Sequence, residues 1–472
     1  MRDTESTNHS IKPSSFSLLA LNEALLTNLA SLGYDTMTPI QADSLPSMLN
    51  GDDVIAKANT GSGKTAAFGL TILNKINLKF FAVQALVLCP TRELAEQVSQ
   101  AIRQLARQMP NVKIINLSGG MPLKPQLDSL RHGAHIIVGT PGRVQKHLDR
   151  ESLVLDKLNL LVLDEADRML DMGFLDDMRA IIKTCPKNRQ TLLFSATYPL
   201  EMKPLSYEFM KNPKEVFIDN AQTAADIEQR FYEVNAGNKF TVLTAVLKQY
   251  KPSSALIFCN TKQLTTDVTS QLKKEGFSAI ALNGDLEQVD RDLAVIQFTN
   301  QSCSILVATD VAARGLDIKE LPLVINYELA YENDNHTHRI GRTGRAGKKG
   351  IAISLTTASD SNRICAIEDT EVAPLTWGTL DEFSPSNAMP PSPVMITLCL
   401  DVGKKDKVRA GDILGALTKD AGLPSDVIGK IDVLPLKSYI AINKSHVSTA
   451  YQYLQVGKLK GRGVNVRKLR LV

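Results

Sequence analysis

The chain has 472 residues, of which 43% are hydrophobic and 22% are charged, and its formal net charge is only +4. This length is typical of about three domains, and the composition is that of a soluble globular protein. No apolar run approaches the roughly 18 residues that cross a bilayer, and the start of the chain has no continuous apolar segment of the signal-peptide kind, so we expect a cytoplasmic protein without a membrane-spanning segment.

The six cysteines are scattered singly along the chain. None forms a Cys-x-x-Cys pair, none has a histidine at ligand spacing, and two of them, Cys89 and Cys259, end apolar runs. This pattern favours reduced core cysteines over a disulfide framework or a zinc site.

Short apolar runs alternate with helical segments through the first 200 residues. The runs are "DVIAKA", "QALVLC", "HIIVG", "LLVLD" and "TLLFSA". In the helical segment "TRELAEQVSQAIRQLARQM", apolar residues recur every three or four positions. Strands that alternate with helices in this way predict a parallel sheet covered on both faces. We assign this first α/β lobe to residues 1–218.

A glycine-rich loop follows the first of these strands and opens a helix. In "ANTGSGKT" (58–65) the glycines let backbone amides approach phosphate oxygens, Lys64 can reach the β and γ phosphates, and the Thr65 hydroxyl can help to hold Mg2+. A generic phosphate loop would have glycine where this chain has Ala58. The predicted nucleotide-binding residues of the loop are Ala58, Asn59, Thr60, Gly61, Ser62, Gly63, Lys64 and Thr65.

An apolar strand that ends in two acids supplies the second half of this site. In "LLVLDEADRML" (160–170) we expect Asp164 to bind the metal and Glu165 to polarise the attacking water. An acid after an apolar run is usually only the end of a strand. Its pairing with a phosphate loop in the same lobe favours hydrolysis of ATP with Mg2+.

The alternation of strands and helices is interrupted by the polar stretch "DNAQTAADIEQ" (219–229) and then restarts. The new runs are "ALIFCN", "SAIALNG", "SILVATD", "LVINYE" and "GIAISL", which predict a second α/β lobe over residues 219–383. The stretch 384–393, with four prolines, reads as a stiff, extended linker.

Residues 394–472 predict a small β-α-β-β-α-β domain of the ferredoxin-like type, the size of an RNA-recognition fold. This segment has fourteen Lys or Arg against six Asp, a charge of +8, whereas the rest of the chain has −4. Such asymmetry points to nucleic acid, although a solvated basic face without a partner fits the count as well. The candidate RNA contacts are Lys404, Lys405, Lys458, Lys460, Arg462 and Arg467.

The strand that would stack bases in such a domain has one aromatic residue, Tyr439, where up to three are usual. Tyr439 can stack a base or pack within the protein, and we favour packing. The basic surface suits a structured, multiply charged RNA better than a single splayed strand.

The motifs together resemble a known family. "DEAD" at 164–167 and the loop form "AxxGxGKT" with Ala58 are similar to those of the DEAD-box ATP-dependent RNA helicases. The resemblance implies two RecA-like parallel-sheet lobes followed by the small α+β RRM-like domain. It also implies that ATP hydrolysis is coupled to local unwinding of RNA duplexes.

Other segments resemble the family's motifs in the expected order. "GYDTMTPIQ" (33–41) resembles its adenine-reading segment, with Gln41 at the base edge and Phe16 at the upstream aromatic position. The resemblance implies RNA contacts in both lobes at Arg92, Gly120, Thr140, Arg143, Thr309 and Arg314. It implies coupling of the lobes through Ser195, Thr197 and His338.

The segment "HRIGRTGRAG" (338–347) places Arg342 and Arg345 at the family's arginine-finger positions, and Asp317 resembles its ribose contact. Because these residues belong to the second lobe, hydrolysis is expected to require closure of the two lobes.

The C-terminal phrases "GDILGALTKDAGL" and "GKLKGR" resemble one bacterial branch of the family. The resemblance implies that the C-terminal domain docks on a hairpin of 23S ribosomal RNA and delivers a monomeric helicase core during maturation of the large ribosomal subunit.

Two other functions were weighed. A non-enzymatic RNA-binding scaffold would predict the loss of a catalytic residue, but Lys64, Glu165, Arg342 and Arg345 are all present. A DNA helicase is compatible with the composition, although the forms "DEAD" and "SAT" favour RNA by resemblance.

Overall fold

The computed structural model describes most of the chain. The described residues are 15–58, 61–198, 202–218, 227–313, 316, 318, 321–344, 350–369, 374–383 and 389–471. The chain divides into two compact units, Met1–Ala221 and Gln222–Val472, and the division lies close to the lobe boundary predicted after residue 218. Among the described residues, no helix combines the length and the apolar character needed to cross a membrane.

A seven-stranded, wholly parallel sheet forms the centre of the first unit. Its strands are β1 Val54–Lys57, β2 Ala85–Leu88, β3 Ile114–Leu117, β4 Ile136–Gly139, β5 Leu160–Asp164, β6 Gln190–Ser195 and β7 Lys214–Phe217. Their order across the sheet is β3-β4-β2-β5-β6-β1-β7. The five predicted strands are all present, whereas β3 and β7, at the two edges, were not predicted.

Helices cover both faces of this sheet, as the alternation predicted. They are α1 Glu23–Ser31, α2 Pro39–Asn50, α3 Lys64–Lys75, α4 Arg92–Leu105, α5 Leu123–Arg131, α6 Pro141–Leu148, α7 Ala166–Asp171, α8 Leu175–Thr184 and α9 Met202–Phe209. Successive residues of β1 belong to different apolar clusters: Val54 and Ala56 to one, and Ile55 to the other. Each strand therefore packs on both faces, which is why its sequence is continuously apolar.

The second unit contains a six-stranded parallel sheet of order β10-β11-β9-β12-β13-β8. Its strands are β8 Ile227–Glu233, β9 Ala255–Phe258, β10 Ala279–Leu282, β11 Ile305–Ala308, β12 Leu323–Asn326 and β13 Gly350–Thr356. The helices that accompany them are α10 Lys239–Tyr250, α11 Lys262–Lys274, α12 Gln288–Thr299, α13 Asp310–Ala313, α14 Asn333–Ile340 and α15 Ser361–Glu368.

The polar stretch 219–229 is not wholly a linker. Residues 219–226 lie outside the described residues, but 227–229 begin the edge strand β8, which the sequence pattern did not predict. An edge strand can keep polar side chains outward, which explains why this segment did not read as a strand.

The C-terminal domain has the predicted β-α-β-β-α-β order and a four-stranded antiparallel sheet of order β15-β16-β14-β19. Its strands are β14 Met395–Leu400, β15 Ile428–Val433, β16 Ser438–Asn443 and β19 Val466–Lys468. Helix α16, Ala410–Gly415, continues into a π-helical turn, Ala416–Asp420, and α17 spans Val447–Val456. A short hairpin, β17 Lys458–Leu459 and β18 Arg462–Gly463, precedes the last strand and was not predicted.

Within the second unit, the outer face of this small sheet packs on α12. Tyr439 is 5% exposed and forms an apolar cluster with Cys399 and with Ile296 of α12. Polar contacts flank the cluster: the Ser302 and Thr397 hydroxyls lie 2.7 Å apart. This contact confirms packing as the role of Tyr439 in the structure. Of the predicted linker, residues 384–388 lie outside the described residues, and 389–393 form neither helix nor strand.

Candidate nucleotide and RNA sites

The predicted nucleotide site lies at the carboxyl edge of three adjacent strands, β5, β6 and β1. Lys57 of β1 is in register with Ser195 of β6, and Asp164 of β5 with Phe194 of β6. Because the carboxyl ends of parallel strands open on one edge of the sheet, the phosphate loop, the acidic pair and the "SAT" segment meet there.

The phosphate loop turns directly into α3. Gly61 and Gly63 have φ of 89° and 99°, in the left-handed region that only glycine adopts readily. At Gly63 a Cβ would also lie 2.4 Å from Nε2 of Gln41, so this position excludes any larger residue. The start of α3 then offers backbone amides to an anion. Asn59 and Thr60 lie outside the described residues.

Lys64 is held across the loop. Its side chain is 6% exposed, and Nζ donates a hydrogen bond to the carbonyl oxygen of Ala58 at 2.8 Å. The ammonium group is therefore already fixed near the place where phosphates are predicted to bind.

Asp164 is a buried acid whose ionisation is perturbed. Burial raises its pKa to about 7, the nearby charge of Lys64 lowers it, and Glu165 raises it further. Asp164 and the half-buried hydroxyl of Thr65 are oxygen donors of the kind that Mg2+ prefers, and a bound cation would favour the ionised carboxylate. The residues present thus fit the predicted metal.

Glu165 has an unusual backbone conformation. Its φ of 50° and ψ of 53° are left-handed, which costs a non-glycine residue about 1 kcal/mol. Its side chain is buried, and Oε2 lies 3.5 Å from Nη1 of Arg168, which is 2% exposed. Sequence reasoning did not single out Arg168, although its position three residues after Glu165 places it on the same helical turn.

Asp167 joins the "DEAD" and "SAT" segments directly. One of its oxygens, Oδ2, accepts from the backbone nitrogens of Ala196 and Thr197, at 3.2 and 2.9 Å, and from the Thr197 hydroxyl at 2.9 Å. Ser195 lies beside them, and its carbonyl oxygen accepts from the nitrogen of Ala58 in the phosphate loop. A change at the phosphate loop can therefore reach "SAT" through direct contacts.

The predicted adenine-reading residues have protein partners in the structure. The Gln41 side chain accepts from the nitrogen of Thr38 at 2.9 Å and donates to the carbonyl oxygen of Gly63 at 3.1 Å. Gln41 thus supports the phosphate loop, and its contact with a base stays a prediction. Phe16 is buried and packs edge-on against Tyr34, whose ring is 38% exposed and was not singled out by the sequence.

Two of the predicted RNA contacts of the first unit lie close together. Arg92, at the start of α4, packs tightly against the glycine pair Gly119 and Gly120. A Cβ at Gly120 would lie 1.7 Å from Nη1 of Arg92. Arg143 on α6 donates to the carbonyl oxygen of Met121, the residue after Gly120, at 3.0 Å. Thr140 is buried at the start of α6.

In the second unit only some predicted residues can be placed, because Arg314, Asp317 and Arg345 lie outside the described residues. Thr309 accepts a hydrogen bond at the start of α13. His338 is half-buried on α14. Arg342 is 5% exposed, and Nη1 donates to the carbonyl oxygen of Leu316 at 2.8 Å, so the structure gives this arginine a protein partner.

Arg339, between these predicted residues, is the buried centre of the second-unit motifs. Its guanidinium donates twice to the carboxylate of Asp310, at 2.7 Å each, and once to the Asn260 side chain at 2.7 Å. Arg339 thereby connects the segment "HRIGR" to Asp310 of the segment "ATD". Sequence reasoning missed Arg339; an arginine within a motif beside a "TD" segment was the available signal.

Two basic segments of the C-terminal domain meet on one side of the domain. Lys460, in the hairpin, donates to the carbonyl oxygen of Lys407 at 2.8 Å and pairs with Asp412 at 2.9 Å. This contact joins the segment of the exposed Lys404 and Lys405 to the hairpin of the exposed Lys458 and Arg462. We call these five lysines and arginines, Lys404, Lys405, Lys458, Lys460 and Arg462, the basic cluster.

Arg467 is placed differently from the basic cluster. On β19 it lies opposite Cys399, in the row of the sheet that also contains Tyr439. Residue 467 is nevertheless exposed, and its contact with RNA stays a prediction.

Comparison with known proteins agrees with this architecture. The family description "DEAD/DEAH box helicase" matches residues 38–205, "Helicase conserved C-terminal domain" matches 238–347, and "DbpA RNA binding domain" matches 397–468. The chain is 50% identical to the ATP-dependent RNA helicase DbpA of Escherichia coli over 96% of this chain and 99% of that protein. It is 37% identical to DbpA of Bacillus subtilis over the same shares of the two chains.

Among solved structures, the Saccharomyces cerevisiae protein Dbp5 bound to RNA and ADP BeF3 is similar, with a TM-score of 0.72 and 31% identity over 78% of this chain and 96% of that one. These similarities confirm the predicted fold class and the prediction of an enzyme, and they favour neither the scaffold nor the DNA helicase. The chain belongs to the DEAD-box ATP-dependent RNA helicases and carries the RNA-binding domain of their DbpA-like members.

Proposed function

We propose that this helicase is directed by its C-terminal domain to a hairpin of 23S ribosomal RNA, and that it acts there, in the cytoplasm, as a monomer during assembly of the large ribosomal subunit. The observation that carries the targeting role is the contact of Lys460 with Lys407 and Asp412, which unites the basic cluster. The similarity to DbpA over nearly the whole chain supports the same role.

The chemistry assigned to the first unit follows from its buried charges. Lys64 is fixed where it can pair with phosphate oxygens, and Glu165 is held in a strained turn where it can orient a water and accept its proton. Asp164 and Thr65 would hold Mg2+, which neutralises phosphate charge when bound. These residues position the attacking water and neutralise the charge of the phosphates, and phosphoryl transfer requires both.

The second unit contributes the remaining positive charge. We assign this role to Arg342 and Arg345, by resemblance to the family's arginine fingers. Nη1 of Arg342 donates to the carbonyl oxygen of Leu316, and during the cycle the guanidinium would also donate to a phosphate oxygen. Hydrolysis is therefore expected to depend on both units.

The basic cluster is suited to a folded RNA rather than to splayed bases. Tyr439 is buried against Ile296, so the sheet face that stacks bases in related folds is occupied by protein. Lysine and arginine side chains on a turn and a hairpin contact phosphates, whose spacing reports the shape of an RNA. Shape recognition of a hairpin is the mode that this surface supports.

A charge substitution tests the targeting role with little disturbance of the fold. In the full chain, Lys458→Ala combined with Arg462→Ala should raise the concentration of hairpin RNA that half-saturates ATP hydrolysis by about tenfold, and it should weaken the salt dependence of binding. Lys444→Ala is the matched control, because Lys444 bonds to Ser392 near the opposite end of β14.

Unrelated single-stranded RNA provides the second arm of this test. The double variant should respond to it as the unmodified protein does. Equal loss of response to both RNAs, or no loss with the hairpin, would contradict targeting by the basic cluster. Removal of the whole domain is a less specific test, because it also uncovers Ile296 on α12.

A further inference from the structure

A buried amide in the first unit has polar contacts that the nucleotide site does not explain. Gln126, on α5, is 8% exposed. Its Nε2 donates to the carbonyl oxygen of Ser118 at 3.1 Å. Its Oε1 lies 2.6 Å from Nη1 of Arg143, which donates to it, and 3.1 Å from Nε2 of His147. Every hydrogen-bonding direction of the amide but one is thus used.

The orientation of this amide is set by Arg143, because a guanidinium can only donate and therefore faces the amide oxygen. His147 is buried, and burial, followed by the charges of Arg143 and Arg150, lowers its pKa, which favours the neutral ring. Because an amide oxygen can only accept, Nε2 of the ring carries the proton, and Nδ1 faces the Ser152 hydroxyl at 2.9 Å. The oxygen of Gln126 thus faces the donors of Arg143 and His147, and its nitrogen faces the carbonyl of Ser118.

The contacts of Gln126 and Arg143 enclose the glycine pair. Gln126 holds the carbonyl of Ser118, and Arg143 holds the carbonyl of Met121 at 3.0 Å. These two carbonyls flank the Gly119–Gly120 turn. The turn is therefore held from both sides by one connected set of hydrogen bonds.

Arg92 approaches the same turn from α4. Its guanidinium occupies the space that a Cβ of Gly120 would need. Because Arg143 bonds to Met121, the residue after this turn, both guanidinium groups lie at the turn, and burial, followed by the charge of Arg92, lowers the pKa of Arg143. Two neighbouring positive charges beside a glycine turn form a site for an anion.

We propose that Gln126, whose oxygen also contacts His147, is a positioning residue that fixes Arg143 relative to Arg92 and the Gly119–Gly120 turn, so that three separate segments form one site for a phosphate of the RNA backbone. This inference rests on the proposed RNA-binding role of Arg92 and Arg143. It adds two residues that no motif of the sequence had indicated.

The test uses the full chain and a fluorescein-labelled oligouridylate of about ten nucleotides, bound in the presence of a non-hydrolysable ATP analogue. Gln126→Met keeps the volume of the side chain and removes its contacts. It should raise the RNA dissociation constant about tenfold, with KM for ATP and kcat at saturating RNA within about twofold of the unmodified values. Gln100→Met is the matched control, since Gln100 is exposed on α4.

A double variant separates positioning from general structural support. If Gln126 acts through Arg143, then Gln126→Met combined with Arg143→Ala should bind RNA no more than about twofold more weakly than Arg143→Ala alone. Additive effects of the two substitutions would overturn the inference. No effect of Arg143→Ala would instead overturn the proposed RNA role of Arg143, and so the two failures are distinguishable.

A second variant keeps the test decisive if Gln126→Met does not fold. Gln126→Glu retains the acceptor for Arg143 but adds a charge that cancels the guanidinium. At pH 8 it should reduce the slope of the logarithm of the RNA association constant against the logarithm of the salt concentration by about 0.7. This is the change expected when one phosphate contact with a single strand is lost. An unchanged slope would overturn the inference, because a carboxylate at position 126, where the oxygen lies 2.6 Å from Nη1 of Arg143, would have to weaken a phosphate contact made by that guanidinium.

Discussion

Replacement of Asp164 by Asn should stabilise the nucleotide-free protein while it abolishes ATP hydrolysis. Asparagine has nearly the same volume, and its side-chain oxygen can still accept from the nitrogen of Glu165, a bond of 3.0 Å in the structure. It lacks only the ionisable group. The difference in stability between the two proteins therefore measures the free energy of burying this carboxylate without a cation.

The magnitude follows from the pKa of Asp164, which burial raises from 3.8 to about 7. Because the pKa in the folded state is the higher one, the folded protein binds the proton more tightly, and stability falls as the pH rises from about 4 to about 7. At 1.36 kcal/mol per pH unit, the carboxylate costs about 4 kcal/mol at pH 8 and about 2 kcal/mol at pH 5. The free energy of unfolding of Asp164→Asn should therefore exceed that of the unmodified protein by these amounts.

The assay has to report on the first unit. The single tryptophan, Trp377, belongs to the second unit, so its fluorescence serves as an internal control that should not change. Amide hydrogen exchange of peptides that cover β5 and β6 measures the local free energy of opening. Greater protection in Asp164→Asn at pH 8, which shrinks at pH 5, is the expected result. Equal protection in the two proteins at pH 8, or a gain that does not depend on pH, would refute the reasoning.

Three further substitutions have defined outcomes. Glu165→Gln should lower kcat for ATP hydrolysis by about 10²- to 10⁴-fold and leave ATP binding intact in a fluorescent-nucleotide assay; normal turnover would contradict its role as base. Asp167→Asn should instead destabilise the first unit by about 2–4 kcal/mol, because Asp167 Oδ1 accepts from the nitrogen of Arg168 and Oδ2 from three further donors, and asparagine has only one oxygen to accept them; hydrogen exchange of β6 measures this, and unchanged protection would count against the coupling contact. Tyr439→Phe should leave the packing on α12 intact, whereas Tyr439→Ala should weaken it by about 3 kcal/mol, seen as faster exchange in α12; weaker RNA binding with unchanged exchange would favour base stacking instead.

The central strands of both parallel sheets could be predicted because they are buried on two faces. Runs such as "LLVLD" have to be apolar throughout, and they are visible without any partner. The edge strands β7 and β8 were missed because only part of each is covered, and charged residues such as Lys214, Glu215 and Arg230 interrupt the pattern. A strand of this kind is specified by its neighbour in the sheet more than by its own composition.

The nucleotide site was predictable to a similar extent and for a local reason. Lys64 and Thr65 follow a glycine-rich turn, and Asp164 and Glu165 follow a strand, so adjacent residues specify each half of the site. The contacts between distant segments were not predictable. The bond between Gln126 and Arg143 joins two helices and depends on how those helices pack.

The C-terminal domain shows the same division. Its β-α-β-β-α-β order follows from the sequence, and so does its charge. The separation of Arg467 from the basic cluster depends on strand parity, since residue 467 lies on the face that packs on α12 while Val464 and Val466 pack into the core of the domain. One residue of register decides which face a side chain occupies.

We propose above that RNA bound by the C-terminal domain controls ATP hydrolysis by the two helicase lobes. The most direct measurement is steady-state ATP hydrolysis by the full chain against increasing concentrations of RNA that carries the 23S hairpin, and of RNA with the same length and a scrambled sequence. We expect strong stimulation by the hairpin RNA at concentrations at which the scrambled RNA stimulates weakly. Equal stimulation by the two RNAs, or hydrolysis that needs neither, would contradict it.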